Sequence, residues 1–315
     1  MQRPEPVGQR ADGMPRYGGI ATFALLPRLE DVGRADVAVL GVPFDSGTSF
    51  RPGARFGPAH VREHSRQLHP YHQQHDAFLF AEQQVVDAGD VAVGPYDVAQ
   101  AVATIEAHAR TLTASGTRVL AIGGDHTIAL PLLRAAAAGH GPVGVVHFDA
   151  HLDTWDTLHG ASVWHGSPFR RAAEEGLLDP ARCIHVGMRG GVYDPVELDE
   201  DRGLGFALLR SEEFQHHPVP DLAARIRDRV DGGPVYVSID IDVLDPAFAP
   251  ATGTPEPAGL TSRELFLALR GLAGVDVVGG DVVEVAPAYD SAGITGLAAA
   301  HTVWELIALT GRRNG

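Results

Sequence analysis

The sequence predicts an α/β sandwich built around a largely parallel sheet. Short β-branched runs alternate with Ala/Leu/Arg-rich helical patterns along almost the whole of the 315 residues. The strand runs are apolar throughout rather than at every second position, the pattern of strands covered on both faces. Acids and histidines collect where those runs end, the rim at which open α/β sheets hold their ligands.

Taken in order, ADVAVLGVPF (35–44) reads as a buried strand and runs into the loop DSGTSFRPGARFGP. GPAHVREHSRQL (57–68) is a helix with Pro in its first turn. DVAQAVATIEAHARTLTAS (97–115) is helical, TRVLAIGG (117–124) a strand and TIALPLLRAAAA (127–138) a helix. PVGVVHFD (142–149) is a strand, SPFRRAAEEGLL (167–178) a helix and CIHVGMR (183–189) a strand. DLAARIRDRV (221–230) is helical, and the apolar strand PVYVSIDID (234–242) closes on two acids. TSRELFLALRGLA (261–273) opens on a capping box, Thr261 with Glu264. DVVGGDVVEV (276–285) is a strand and TGLAAAHTVWELIAL (295–309) the final helix.

Composition bounds the function. With 44% hydrophobic residues the chain can bury a large core, and it has no repeat or linker-like boundary. A formal charge of -15 argues against nucleic acid or anionic membrane as partners. Cys183 is the single cysteine, so no intrachain disulfide can form, which suits a reducing cytoplasm. Residues 1–16 lack the apolar stretch of a signal peptide, and no apolar run approaches the roughly 18 residues of a membrane helix.

The chemistry concentrates in four places. In HFDAHLD, Asp149, His151 and Asp153 fall at alternate positions and would share a face in extended chain. Asp240 and Asp242 in SIDID repeat the device, and His126 in IGGDHT stands where a strand turns into a helix. Glu284 ends the strand VVEV. Four carboxylates buried together would repel, and most would take up protons unless cations sat among them. Two divalent ions balance four Asp, at the ~3.5–4 Å spacing of two-metal centres. Oxygen-rich ligation with some imidazole favours Mn²⁺ over a thiolate-type zinc site.

IGGDHT, HFDAHLDT, SIDIDVLDPAFAPATGTPEPAGLTSRE, DVVEVAPAYD and the early GVPFDSGTSFRPGARFGP together resemble the ureohydrolase (arginase/agmatinase) family. The resemblance runs in the family's order from about Tyr17 to the last helix. It implies a three-layer α/β/α sandwich on a largely parallel eight-stranded sheet. It also implies a flexible arm over 1–16, one catalytic domain over 17–315, and a cytoplasmic homo-oligomer, trimer or hexamer. Two Mn²⁺ per subunit would be held by His126, Asp149, His151, Asp153, Asp240 and Asp242. His165 in WHGSPF matches the proton-shuttling histidine and Glu284 the glutamate that receives a guanidinium.

Such an enzyme would hydrolyse a linear guanidino compound to urea and an amine. A guanidinium is a poor electrophile, and water ionised near neutral pH by a metal pair, with Asp153 among its supports, is the expected attacker. Glu284 would hold the guanidinium by a charge-assisted pairing and His165 would protonate the leaving amine. Trp155 stands where arginases carry an Asn, and Gly190 where they carry an acid, which argues for a substrate without an α-amino acid head. Agmatine, hydrolysed to putrescine and urea in polyamine biosynthesis, leads; 4-guanidinobutyrate or a proclavaminate-type guanidine is the alternative. Thr252, Thr254 and Trp155 are expected at the pocket, with turn-forming hydroxyls as the alternative role of the two threonines. Arg189 or Arg170 could serve a carboxylate tail, although a structural salt bridge is the commoner role of such arginines. Trp164 beside His165 and Ala251 in place of an expected Gly could both reshape the pocket.

Rival classes fit less well. A zinc deacetylase would carry paired histidines and a catalytic Tyr, and a metallophosphoesterase GDxHG-type motifs. A guanidine-binding protein without catalysis has no use for a proton shuttle. HPYHQQH (69–75) lacks acids at ligand spacing and reads as a loop or subunit contact rather than a third metal site. ELDEDRGLGF (197–206) reads as a solvated acidic helix face.

Overall fold

The structure, a computed structural model, describes residues 6–10 and 13–311. Among these residues ten strands form: β1 Val37–Val42, β2 Tyr71–His72, β3 Ala77–Phe78, β4 Val85–Asp90, β5 Arg118–Gly123, β6 Val143–Phe148, β7 Leu178–Met188, β8 Phe206–Arg210, β9 Pro234–Asp240 and β10 Asp276–Val283. Eight of them make one sheet in the order β4-β1-β5-β10-β9-β6-β7-β8. Every pairing in it is parallel. β2 and β3 form a separate antiparallel ribbon.

Alternation along each strand feeds two cores. On β1, Val37 and Val39 point to one and Ala38, Leu40 and Val42 to the other. Helices Gly57–Ser65, Val219–Val230, Ser262–Arg270 and Ile294–Leu309 cover the first face. Helices Val98–Thr113, Ala129–His140 and Pro168–Glu174 cover the second. Each fully buried Val, Leu or Ile contributes roughly 1.5–3 kcal/mol against exposure, so both layers are held chiefly by apolar contact. The predicted three-layer sandwich is therefore what the chain forms.

The sequence patterns miss β4 and β8, which are the two edges of the sheet. β4 (VVDAGD) is half-exposed and its two acids break the apolar run, while β8 (FALLR) is a short apolar run directly after the segment read as an acidic helix face. β7 starts at Leu178, through Asp179 and Pro180, five residues before the expected strand. The predicted capping box is present: Thr261 accepts from the Glu264 amide, and the Glu264 carboxylate accepts from that of Thr261.

Of the expected N-terminal arm, residues 1–5 and 11–12 lie outside the described residues. Val7 exchanges hydrogen bonds with the Gln84 side chain, and the Arg10 amide donates to the Leu25 carbonyl, so this stretch is held against the body. Among the described residues no helix is long and apolar enough to cross a membrane.

One consequence of the strand order positions the site. β5, β10, β9 and β6 are successive neighbours, and their carboxyl ends deliver His126, Glu284, Asp240 and Asp149 respectively. Four motifs far apart in sequence thus meet at one rim.

Candidate active site

After β5 the chain turns tightly at Gly124, where a Cβ would lie 1.9 Å from the Phe44 carbonyl oxygen, so only Gly fits. Asp125 then caps the short turn His126–Ile128 by accepting from the Thr127 amide at 3.0 Å. Its other oxygen accepts from the Gly47 amide at 2.7 Å and draws loop 45–53 over the site.

His126 is fully buried, and its partners fix its tautomer. The Ser238 hydroxyl donates to Asp281 at 2.6 Å, as does the Tyr236 hydroxyl at 2.6 Å. Ser238 Oγ must therefore accept from His126 Nε2–H, 2.8 Å away. With Nε2–H held by Ser238, Nδ1 faces Asp153, Asp149 and Asp240, whose oxygens lie at 2.9, 3.2 and 3.5 Å. Burial opposes charge on the ring, but these three carboxylates raise its pKa well above normal, so without a cation beside it Nδ1 would hold a proton. Nδ1 makes no hydrogen bond. A lone pair facing three carboxylates is tolerable only around a positive charge.

The DxHxD segment converges differently from the extended-chain expectation. Pairing in β6 ends at Phe148, so Asp149–Asp153 form a loop rather than strand. Asp149 accepts from the His151 amide at 2.6 Å, and Asp153 takes a left-handed conformation, φ 52°. That backbone costs roughly 1–3 kcal/mol and returns the Asp153 carboxylate to the cluster. Asp240 and Asp242 likewise flank a turn, with Asp240 accepting from the Asp242 amide at 2.8 Å.

Two donor groups result, and Asp149 belongs to both. His126, His147, Asp149 and Asp153 form one; Asp149, His151 and Asp242 form the other, with His151 Nδ1 3.1 Å from Asp242. His147 does not compete as a ligand, because both its nitrogens are engaged. Nε2 meets Asp149 at 2.8 Å and Nδ1 meets His185 at 2.7 Å, while His185 reaches Asp201 at 3.0 Å. Burial lowers the His147 pKa to about 3, so the ring stays neutral.

The electrostatics bear out the crowding argument. Burial, then Asp242 and Asp149, push Asp240 well above the carboxylate range, and burial with Asp149 raises Asp242 to about 6. Burial opposes charge on Asp149 too, but His147, His126 and His151 hold its pKa well below normal. Without cations the cluster would hold protons; the overlapping donor groups fit a pair of metal ions in their place.

Beside the cluster, Glu284 has φ 64° and accepts at Oε1 from the His126 amide and from His165 Nδ1, each at 2.9 Å. Oε2 is buried without a partner and faces Gly253, where a Cβ would come within 3.1 Å of it. On the other edge of the His165 ring, Nε2 meets Ser49 Oγ at 2.7 Å and its amide at 3.1 Å. Burial disfavours charge on His165, yet Glu284, Asp153 and Asp125 raise its pKa to about 9.

These groups border a cavity of about 350 Å³ lined by His151, Asp153, His165, Asp240, Thr254 and Glu256, with Trp155, Trp164 and Tyr193 as an aromatic wall. Trp155 and Trp164 stack at 5.9 Å, and Trp155 Nε1 donates to Glu197 at 2.7 Å. That bond shows the expected acidic face at 197–206 to be partly engaged. Gly190 has a plain reason: a Cβ there would lie 2.8 Å from His151, leaving no room for an acid.

Three expectations need correction. Arg189 does not reach the cavity; its guanidinium donates to backbone carbonyls, among them Asp242 and Glu256 at 2.7 Å. Arg170 is likewise spent on the Thr154 carbonyl and Glu200. Thr252 is buried and does not line the cavity, unlike Thr254. Sequence reasoning also missed Ser49, Asp125, His147, Ser238 and Asp281. The two-residue periodicity behind Asp149 and Asp240 already pointed to His147 and Ser238; nothing local pointed to Asp281.

The sequence model of the arginase family matches residues 35–308. The chain belongs to the arginase family. It is 43% identical to a guanidinobutyrase of Pseudomonas aeruginosa, over 96% of this chain and 95% of that one. To the mitochondrial agmatinase of Gallus gallus it is 42% identical, over 96% of this chain and 88% of the relative. Its fold matches that of proclavaminate amidinohydrolase from Streptomyces clavuligerus with a TM-score of 0.90 and 44% identity, covering 94% of this chain and 99% of the other. As an arginase-family amidinohydrolase the protein acts on the C–N bonds of a guanidino compound.

Proposed function

We propose that the protein is a dimanganese agmatinase, producing putrescine and urea. The observation that carries the choice of substrate is the lining of the cavity. Among the described residues it offers Glu256 and three aromatic rings to a tail and no Arg or Lys. The ammonium of agmatine suits that surface through charge pairing and cation–π contact. The two arginines that a carboxylate tail would need are bound elsewhere.

His126, Asp149, His151, Asp153, Asp240 and Asp242 would hold the two ions. When bound, the ions would supply a water that ionises near neutral pH. Glu284 receives the guanidinium on Oε2, its unpartnered oxygen. His165 donates from Nδ1 to Glu284 while its Nε2 accepts from the Ser49 amide, so the proton it gives to the departing amine is the one it shares with Glu284. Thr254 and Trp155 bound the tail. The setting is cytoplasmic and the assembly a homo-oligomer, trimer or hexamer, which sedimentation of the purified protein tests.

A second reading has its own support: the guanidinobutyrase relative is as similar as the agmatinase. A panel of agmatine, 4-guanidinobutyrate, 3-guanidinopropionate and arginine with added Mn²⁺ decides. Highest kcat/KM for agmatine is expected; highest for a guanidino acid would overturn the substrate, and no urea from any would overturn the activity.

A further inference from the structure

HPYHQQH acquires in the fold the acid it lacks in sequence. His72 and His75, on and beside the β2–β3 ribbon, meet Glu305 of the last helix, 230 residues beyond His75. His72 Nε2 lies 3.3 Å and His75 Nε2 3.1 Å from the same oxygen, Glu305 Oε2. His72 is fully buried, its ring stacked on Trp304 at 3.9 Å, yet neither of its nitrogens makes a hydrogen bond. An ion pair between a protonated His72 and Glu305 would normally align a hydrogen bond, and here it is missing.

We propose that His72, His75 and Glu305 form a binding site for one transition-metal ion of the zinc class. Metal–ligand bonds of about 2.0–2.1 Å in a tetrahedron place neighbouring donor atoms about 3.3 Å apart, which matches both separations. Two imidazoles and a carboxylate leave a fourth position for water. Arg270 donates to the other oxygen, Oε1, at 2.9 Å, which orients Oε2 toward the two rings. His301, the other titratable group packed here, is kept neutral by burial, with His72 and Arg270 acting in the same sense. The ion would tie the ribbon to the helix Ile294–Leu309, on a different element set from the Asp149 cluster.

Zinc uptake tests this. The manganese-loaded enzyme is equilibrated with Zn²⁺, dialysed, and its metals counted by mass spectrometry beside His75→Ala and His72→Gln. His75 is partly exposed, so its replacement leaves the core intact. Wild type should retain one zinc per chain more than either variant, and added zinc should raise its Tm by more than that of His75→Ala. Zinc exchanging into the Asp cluster affects all three proteins alike and cancels in the difference. Equal zinc content in wild type and His75→Ala would overturn the site.

Discussion

His165 Nδ1 hydrogen-bonds Glu284 Oε1 at 2.9 Å across 119 residues of chain, while His165 Nε2 rests on Ser49. The ring is thereby held at both edges. Replacing it with Ala should leave both metal ions bound and lower kcat about 10²–10⁴-fold, the usual worth of a positioned acid. Metal counting beside urea release checks this. If His165→Ala also lost metal, the ring would be a structural support rather than a proton donor.

Asp240→Ala should lose metal and turnover together. Asp240 lies outside the two tight donor groups, but it is buried with one oxygen 3.5 Å from His126 Nδ1, facing the same point as Asp149 and Asp153. Full manganese occupancy in this variant, read by mass spectrometry, would contradict the assignment.

Asp281 never touches the cavity, yet it fixes the tautomer of His126 through Ser238. Asn in its place can donate to Ser238 and release the hydroxyl to the wrong partner. Manganese affinity should fall roughly 10–100-fold, the loss usual for such supporting partners. Calorimetric titration of the metal-free protein gives the number; unchanged affinity would remove Asp281 from the design.

Glu256→Gln should raise KM for agmatine about two- to fivefold with little change in kcat, as a partly exposed charge contact is worth under about 1 kcal/mol. A KM that falls would mean the tail is not a cation.

Glu305 gives a pH dependence of definite sign. Its folded pKa, about 2, lies below the ordinary value of 4.5. Its contribution to stability is therefore complete above the ordinary value and is lost as acid approaches the folded one. In chelator, the gap in urea midpoint between wild type and Glu305→Gln should narrow from about pH 5 to about pH 3. A widening gap would reverse the sign and refute the pairing with His72, His75 and Arg270.

By itself the sequence determined the central strands, the helices that cover them and the identity of the clustered acids. Those strands are apolar on both faces, and their terminal acids have no other use for position, so the signal is local. Edge strand β4 escaped because its half-exposed end carries acids, and β8 because its five residues are too short a run to stand apart from the acidic helix before them. Only the tertiary structure decided that β5, β10, β9 and β6 stand side by side, bringing Asp281 behind His126 and Glu305 beside His72. It alone decided that Arg189 turns inward to backbone carbonyls rather than outward to a substrate. Contacts between residues a hundred or more positions apart leave no trace in local periodicity, because they depend on how the sheet is ordered rather than on how any one strand is built.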